Sequence, residues 1–126
     1  MQPWVLLVDD DPEFLASVRD ALEPAGMRIS AAETGEAALE LLETDGAGVQ
    51  AAIVDLDLPT MSGFDLIREI RARHGHVRIM AVTAIYKGLY LDVARNVGAN
   101  IARRKTNEGT RLSAAEWQAL VQELLT

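Results

Sequence analysis

The chain has 126 residues with no cysteine, and its 19 acidic against 12 basic side chains give a formal charge of −7. That length suits one domain spanning residues 1–126, and the missing cysteines exclude disulfides, thiolate metal sites and thiol nucleophiles. The charge argues against a nucleic-acid surface, since affinity for phosphate backbones comes chiefly from Lys and Arg, and no apolar run reaches the roughly 18 residues that cross a bilayer.

The first apolar run, Trp4 to Val8, suits a strand buried on both faces, as in a parallel sheet. It leads into Asp9-Asp10-Asp11 rather than a small-residue cleavage site, so it is a strand and not a signal peptide. Asp11 predicts an N-cap, with Pro12 at the first helical position and Phe14, Leu15, Val18 and Leu22 inward, ending near Pro24 to Gly26. Met27 to Ala31 is short and interrupted by charge, which fits an edge strand. Thr34 caps a second predicted helix carrying Ala38, Leu41 and Leu42.

Ala51 to Val54 is a second continuous apolar strand, and Ser62-Gly-Phe-Asp65 opens a third helix carrying Leu66, Ile67 and Ile70. Ile79 to Val82 is the third buried strand. A fourth helix is expected from about Tyr86 to Val97, stopped by Gly98 at a natural left-handed position. Asn100 to Arg103 reads as another edge strand. Ser113-Ala-Ala-Glu116 is a capping box opening a last helix, with Trp117, Leu120, Val121, Leu124 and Leu125 as its apolar stripe.

This β-α alternation, five times over, implies an α/β fold in which a five-stranded parallel sheet has helices on both faces. With the most apolar strands central, the order is 2-1-3-4-5, a flavodoxin-like three-layer α/β/α arrangement of (βα)5 type.

Open sheets of this kind bind ligands beyond the carboxyl ends of their strands. Asp9 and Asp10 fall there after the first strand, Asp55 after the third, Thr83 after the fourth and Lys105 past the fifth. Close carboxylates repel by about 4 kcal/mol per pair at an effective dielectric near 20, and a divalent cation relieves this. Mg²⁺ takes hard oxygen ligands, so Asp10 and Asp55 are expected as direct ligands with Asp9 acting through water. Asp55 is the candidate nucleophile toward phosphorus, Lys105 would supply positive charge, and the Thr83 hydroxyl would donate to a phosphoryl oxygen. Singly, each has a duller reading: acidic residues cap helices, Thr favours strands, a loop Lys is solvated and Asp55 could form a turn before Pro59. Their joint placement on one sheet edge carries the functional reading.

These residues fall in the motifs Val5-Leu-Leu-Val-Asp-Asp-Asp-Pro12, Ile53-Val-Asp-Leu-Asp-Leu-Pro-Thr-Met-Ser-Gly63, Val82-Thr-Ala84, Gly98-Ala99 and Lys105. Together, over essentially the whole chain, they resemble the receiver domain of two-component response regulators. The resemblance implies a cytoplasmic signalling switch rather than an enzyme, with Mg²⁺ as cofactor and no membrane or nucleic-acid contact of its own. It assigns Asp55 as phosphoacceptor, Asp9 and Asp10 as the acidic pair, the Asp57 backbone carbonyl as a further metal ligand, and Thr83 and Lys105 as switch and phosphate-binding residues. The donor would be a phosphohistidine on a sensor histidine kinase or phosphotransfer protein. An output protein or dimer partner would meet the face of the fourth helix, fifth strand and fifth helix, where Tyr86, Leu89, Tyr90 and Val93 supply apolar surface.

Three departures from the family pattern concern four positions. Ala102 stands where an aromatic switch residue is usual, so Tyr86 or Tyr90 is expected to fill that space. Thr106 replaces the proline after Lys105, so the bond is expected to be trans, cis costing roughly 2.5–4 kcal/mol, and Arg103 or Arg104 could share the role of Lys105. Asp57 and Ile85 hold positions that tune autodephosphorylation in that family, Asp57 adding a carboxylate near the site. Two rival readings are a pseudo-receiver that signals by protein binding without phosphorylation, and a haloacid dehalogenase-type phosphatase with Asp57 as general acid.

Overall fold

The computed structural model describes residues 2–85 and 88–126. The three apolar runs become the inner strands β1 (Trp4–Val8), β3 (Ala51–Asp55) and β4 (Arg78–Thr83), with every residue of β1 and β3 buried. β2 (Arg28–Ala32) and β5 (Ile101–Arg104) flank them, and the parallel order is β2-β1-β3-β4-β5, as expected.

Both flanking strands begin one residue later than the pattern suggested. The Met27 amide donates to Leu22 and closes the preceding turn, leaving Arg28 to pair with Trp4 and to set its guanidinium 3.6 Å from the Trp4 ring. Asn100 meets β4 partly through its side chain, whose Oδ1 accepts the Ile79 amide, so the ladder starts at Ile101.

Although the inner strands look uniformly apolar, their period-two geometry divides the core into two layers. Leu6, Val8, Ala52 and Val54 join Leu66, Ile67 and Ile70 on one face; Val5, Leu7 and Ile53 join Val18, Leu22, Trp117 and Val121 on the other. The helical residues among these come from α1 (Pro12–Leu22), α3 (Gly63–Arg73) and α5 (Ala114–Leu125), while α2 (Gly35–Asp45) and α4 (Tyr90–Val97) add Ala38, Leu42 and Ala94 to the first layer. Asp11, Thr34, Ser62 and Ser113 cap α1, α2, α3 and α5 through side-chain acceptors, Ser113 within the full capping box. A short 3-10 turn, Glu23–Ala25, follows α1.

α4 is shorter than expected. It starts at Tyr90, after a turn in which Gly88 takes a left-handed φ of 38°, and Tyr86 and Lys87 lie outside the described residues. A second departure is a hairpin of β6 (Thr106–Asn107) and β7 (Thr110–Arg111) between β5 and α5. Glu108 and Gly109 form its two-residue turn with φ of 50° and 81°, the double positive φ that matches strand twist. Among the described residues no helix is long and apolar enough to cross a membrane.

Candidate functional site

The carboxyl edge of the sheet collects the residues singled out from the sequence. Asp9 follows β1, Asp55 ends β3, Thr83 ends β4 and Lys105 follows β5. Asp9, Asp55 and Thr83 are all buried, which is unusual for two carboxylates, whereas Asp10 is exposed.

Local backbone bonds fix how each carboxylate faces. Asp9 Oδ1 accepts the Asp11 amide at 2.9 Å, and Asp55 Oδ1 accepts the Asp57 amide at 3.2 Å. The second oxygen of each is turned to Lys105, whose Nζ lies 2.5 Å from Asp9 Oδ2 and 3.7 Å from Asp55 Oδ2. Lys105 is aimed by its own backbone: its amide donates to the Thr83 carbonyl, extending the β4–β5 ladder by one residue. Its ammonium also sits 4.3 Å from the Phe14 ring centre, a cation–π contact that supports the stem from α1. Thr106 in place of proline therefore does not disturb the lysine, and no peptide bond among the described residues is cis. Arg103 does not share the role, because its guanidinium is held by the Asn107 side chain and the Arg104 carbonyl at the hairpin.

Gly63 lets the chain after β3 fold back against the end of that strand, its amide donating to the Leu56 carbonyl at 3.1 Å. A Cβ there would lie 2.1 Å from the Asp55 carbonyl oxygen and 2.6 Å from Leu56 Cα, so only glycine permits that approach. The sequence placed Gly63 inside a motif without revealing this contact.

Burial, followed by the charge of Asp9, pushes the Asp55 carboxyl up to about 6, with Lys105 opposing. Burial likewise raises Asp9. Single ligand oxygens of Asp9, Asp10 and Asp55 lie within 4.8 Å of one another. Three carboxylates against one ammonium leave unbalanced negative charge, and the donors are all hard oxygens, so the set fits a hard divalent cation.

The Asp57 carboxylate is engaged elsewhere. Its Oδ2 accepts the Thr83 hydroxyl at 2.9 Å and its Oδ1 accepts the Tyr90 phenol at 3.3 Å. Thr83 Oγ1 also lies 3.0 Å from the Ile85 carbonyl and accepts the Ile85 amide at 3.1 Å. The Tyr90 ring packs edge-on against Phe64 at 5.0 Å. Of the two tyrosines expected to answer for Ala102, Tyr90 is thus tied to the site, while Tyr86 lies outside the described residues. Sequence spacing could not reveal these links, which span 26 and 33 residues. Beyond this network Leu89 is 70% exposed, and Ile85 and Val93 are also open to solvent.

A family model described as the response regulator receiver domain matches residues 5–115. The C4-dicarboxylate transport transcriptional regulatory protein DctD of Rhizobium meliloti is 33% identical over 124 residues, covering 87% of this chain and 26% of that protein. The sensor kinase CckA of Brucella abortus is 31% identical over 96 residues, 76% of this chain and 10% of that one. A solved CheY-like response regulator receiver domain protein from Methanospirillum hungatei shares the fold with a TM-score of 0.88 at 23% identity, covering 99% of this chain and 94% of its own. The chain spans 35% or less of the length of such curated relatives.

Proposed function

The chain belongs to the response regulator receiver domain family, and from that premise we propose that residues 1–126 act as one phosphorylation-dependent switch whose phosphoryl acceptor is Asp55. The observation that carries the reading is the placement of Lys105 between two buried carboxylates at the sheet edge, 2.5 Å from Asp9 and 3.7 Å from Asp55. A fixed cation beside an acidic pair is an arrangement suited to a phosphoryl group and poorly suited to a structural core.

In this reading the Asp55 oxygen that does not hold the Asp57 amide attacks phosphorus on a phosphohistidine. The P–O bond forms as the P–N bond breaks, and the imidazole leaves with the electron pair. Asp9, Asp10 and Asp55, with the Asp57 backbone carbonyl, would hold Mg²⁺, which supplies neutralisation of charge on the transferring oxygens. Lys105 stays at the same edge to pair with a phosphoryl oxygen, and the Thr83 hydroxyl donates to another. The same geometry disfavours the phosphatase alternative: it needs Asp57 free as general acid, and both of its oxygens already accept hydroxyls.

The proposed donor is a sensor histidine kinase or phosphotransfer protein, and the proposed setting is the cytoplasm. The exposed Leu89 and Val93 support a docking face for an output protein or dimer partner along α4 and β5. The test is incubation with Mg²⁺ and acetyl phosphate, following intact mass. Wild type should gain one phosphoryl group and Asp55→Asn none. An unmodified wild type overturns the reading and favours a pseudo-receiver, and an adduct that survives Asp55→Asn overturns Asp55 as the acceptor.

A further inference from the structure

Thr83 has one hydroxyl proton and two acceptors already in reach, Asp57 Oδ2 at 2.9 Å and the Ile85 carbonyl at 3.0 Å. Any further acceptor must take that proton from one of them. β3 and β4 are neighbours, and Asp55 pairs with Val82, so Thr83 is the next residue along from the acidic strand end. A phosphoryl group on Asp55 would bring three strong acceptor oxygens and added negative charge to that place. Asp57, two residues from Asp55, would face the same charge while losing the donor that orients its carboxylate.

We propose that Asp57 is a positioning residue that latches the unphosphorylated domain, its carboxylate holding the Thr83 hydroxyl and the Tyr90 phenol together until phosphorylation withdraws Thr83 and releases Tyr90. The inference rests on the reading of Asp55 as acceptor. Three observations place the consequence at the start of α4. Tyr90 is the first residue of that helix, the helix has only 8 residues, and its N-cap Leu89 makes no side-chain capping bond. The phenol link to Asp57 and the ring contact with Phe64 are thus ties that hold an otherwise uncapped first turn to the sheet edge. Loosening them alters the segment that carries the exposed Leu89 and Val93. Such a route runs from β3 through an acidic side chain to α4, and it needs no aromatic residue on β5, where Ala102 stands.

The readout is amide exchange at Val93, whose N–H donates to Leu89 and closes the first turn of α4. Samples of wild type, Asp57→Ala, Asp57→Asn and Tyr90→Phe are compared with and without Mg²⁺ and beryllofluoride, and ¹⁹F NMR reports whether the adduct forms on Asp55. Wild type should exchange Val93 roughly tenfold faster once the adduct forms, the scale of losing one hydrogen bond to a charged group. Asp57→Ala and Tyr90→Phe should show that fast exchange without beryllofluoride and gain little from it. Asp57→Asn, with one acceptor oxygen in place of two, should fall between. Tyr90→Phe removes only a hydroxyl, so it keeps the test valid if Asp57→Ala fails to fold. An adduct in wild type with unchanged Val93 exchange, or a Tyr90→Phe protein as protected as wild type, overturns the latch. Absence of any adduct in wild type instead overturns the acceptor reading.

Discussion

Lys105 Nζ sits 2.5 Å from Asp9 Oδ2 and more than an ångström farther from Asp55 Oδ2, at 3.7 Å, so the resting partner of the lysine is Asp9. Asp9 is 1% exposed and Asp55 4%, and neither can be left without its cation cheaply. Lys105→Met keeps most of the apolar stem against Phe14 and removes the charge. It should cost about 3 kcal/mol at pH 7, the usual scale for breaking a buried pair. The loss should shrink toward pH 4, because the Asp55 carboxyl, raised to about 6, is then protonated, and burial shifts Asp9 in the same direction. Urea unfolding at the two pH values measures this, and an equal loss at both would sink the assignment.

Asp55 is itself a burden on the fold. Its native value of about 6 lies above the ordinary 3.8, so the native state holds the proton more tightly. The resulting stability is fully present below about pH 3.8 and is lost as pH rises through about 6. A shift of that size corresponds to about 3 kcal/mol. Asp55→Asn should therefore be more stable than wild type at pH 7.5 by up to about that amount, with the advantage gone near pH 4. Added Mg²⁺ should narrow the gap by stabilising wild type more than the variant. Thermal unfolding midpoints across pH, with and without Mg²⁺, check both statements.

Gly63→Ala tests the close packing of the chain against the end of β3. The added methyl would meet backbone, the Asp55 carbonyl oxygen and Leu56 Cα, and neither can rotate away as a side chain would. A cost of about 3 kcal/mol is expected, together with slower adduct formation at Asp55 because the strand end must shift. Gly26→Ala is the control: its Cβ would meet nothing within 4 Å, but its φ of 89° still strains the backbone. Stability should fall there by about 1 kcal/mol without any change in adduct formation.

The strands were legible because burial on both faces leaves long apolar runs, and the site because Asp9, Asp10, Asp55 and Thr83 end or follow those runs while Lys105 follows the edge strand β5. α4 was legible only in part. Leu89 and Val93 are exposed, as a docking face requires, but Gly88 breaks the backbone before the helix can start, and a single glycine inside an apolar pattern did not announce this. The β6–β7 hairpin escaped notice because strands of two residues have no period to read, although Glu108-Gly109 is a recognisable turn pair. The engagement of Asp57 is a tertiary fact: nothing local to Leu56-Asp57-Leu58 announces hydroxyls arriving from β4 and α4. The polar set at the sheet edge was therefore readable residue by residue, and the wiring away from it was not.

Arg71 offers a prediction that separates the scaffold from the switch. It lies on α3, and its guanidinium donates to the Gly98 carbonyl through Nε and Nη2, to the Gly75 and Val77 carbonyls through Nη1, and to Asn100 Oδ1 through Nη2. One planar group thus pins the end of α3, the approach to β4 and the α4–β5 corner. Arg71→Ala leaves several carbonyls without a donor and opens space against Gly98, so a loss of about 3 kcal/mol is expected. Arg71→Lys should recover little, since an ammonium cannot span carbonyls that the fork reaches from both edges. Exchange at Ala99 and Asn100 should rise in both variants. Adduct formation at Asp55, measured well below the unfolding midpoint, should stay within about twofold of wild type, because no Arg71 contact reaches the sheet edge that bears Asp9, Asp55 and Lys105. A large loss of adduct formation in the folded variant would mean that the α3 anchor is part of the switch and that its effect travels through the α4–β5 corner.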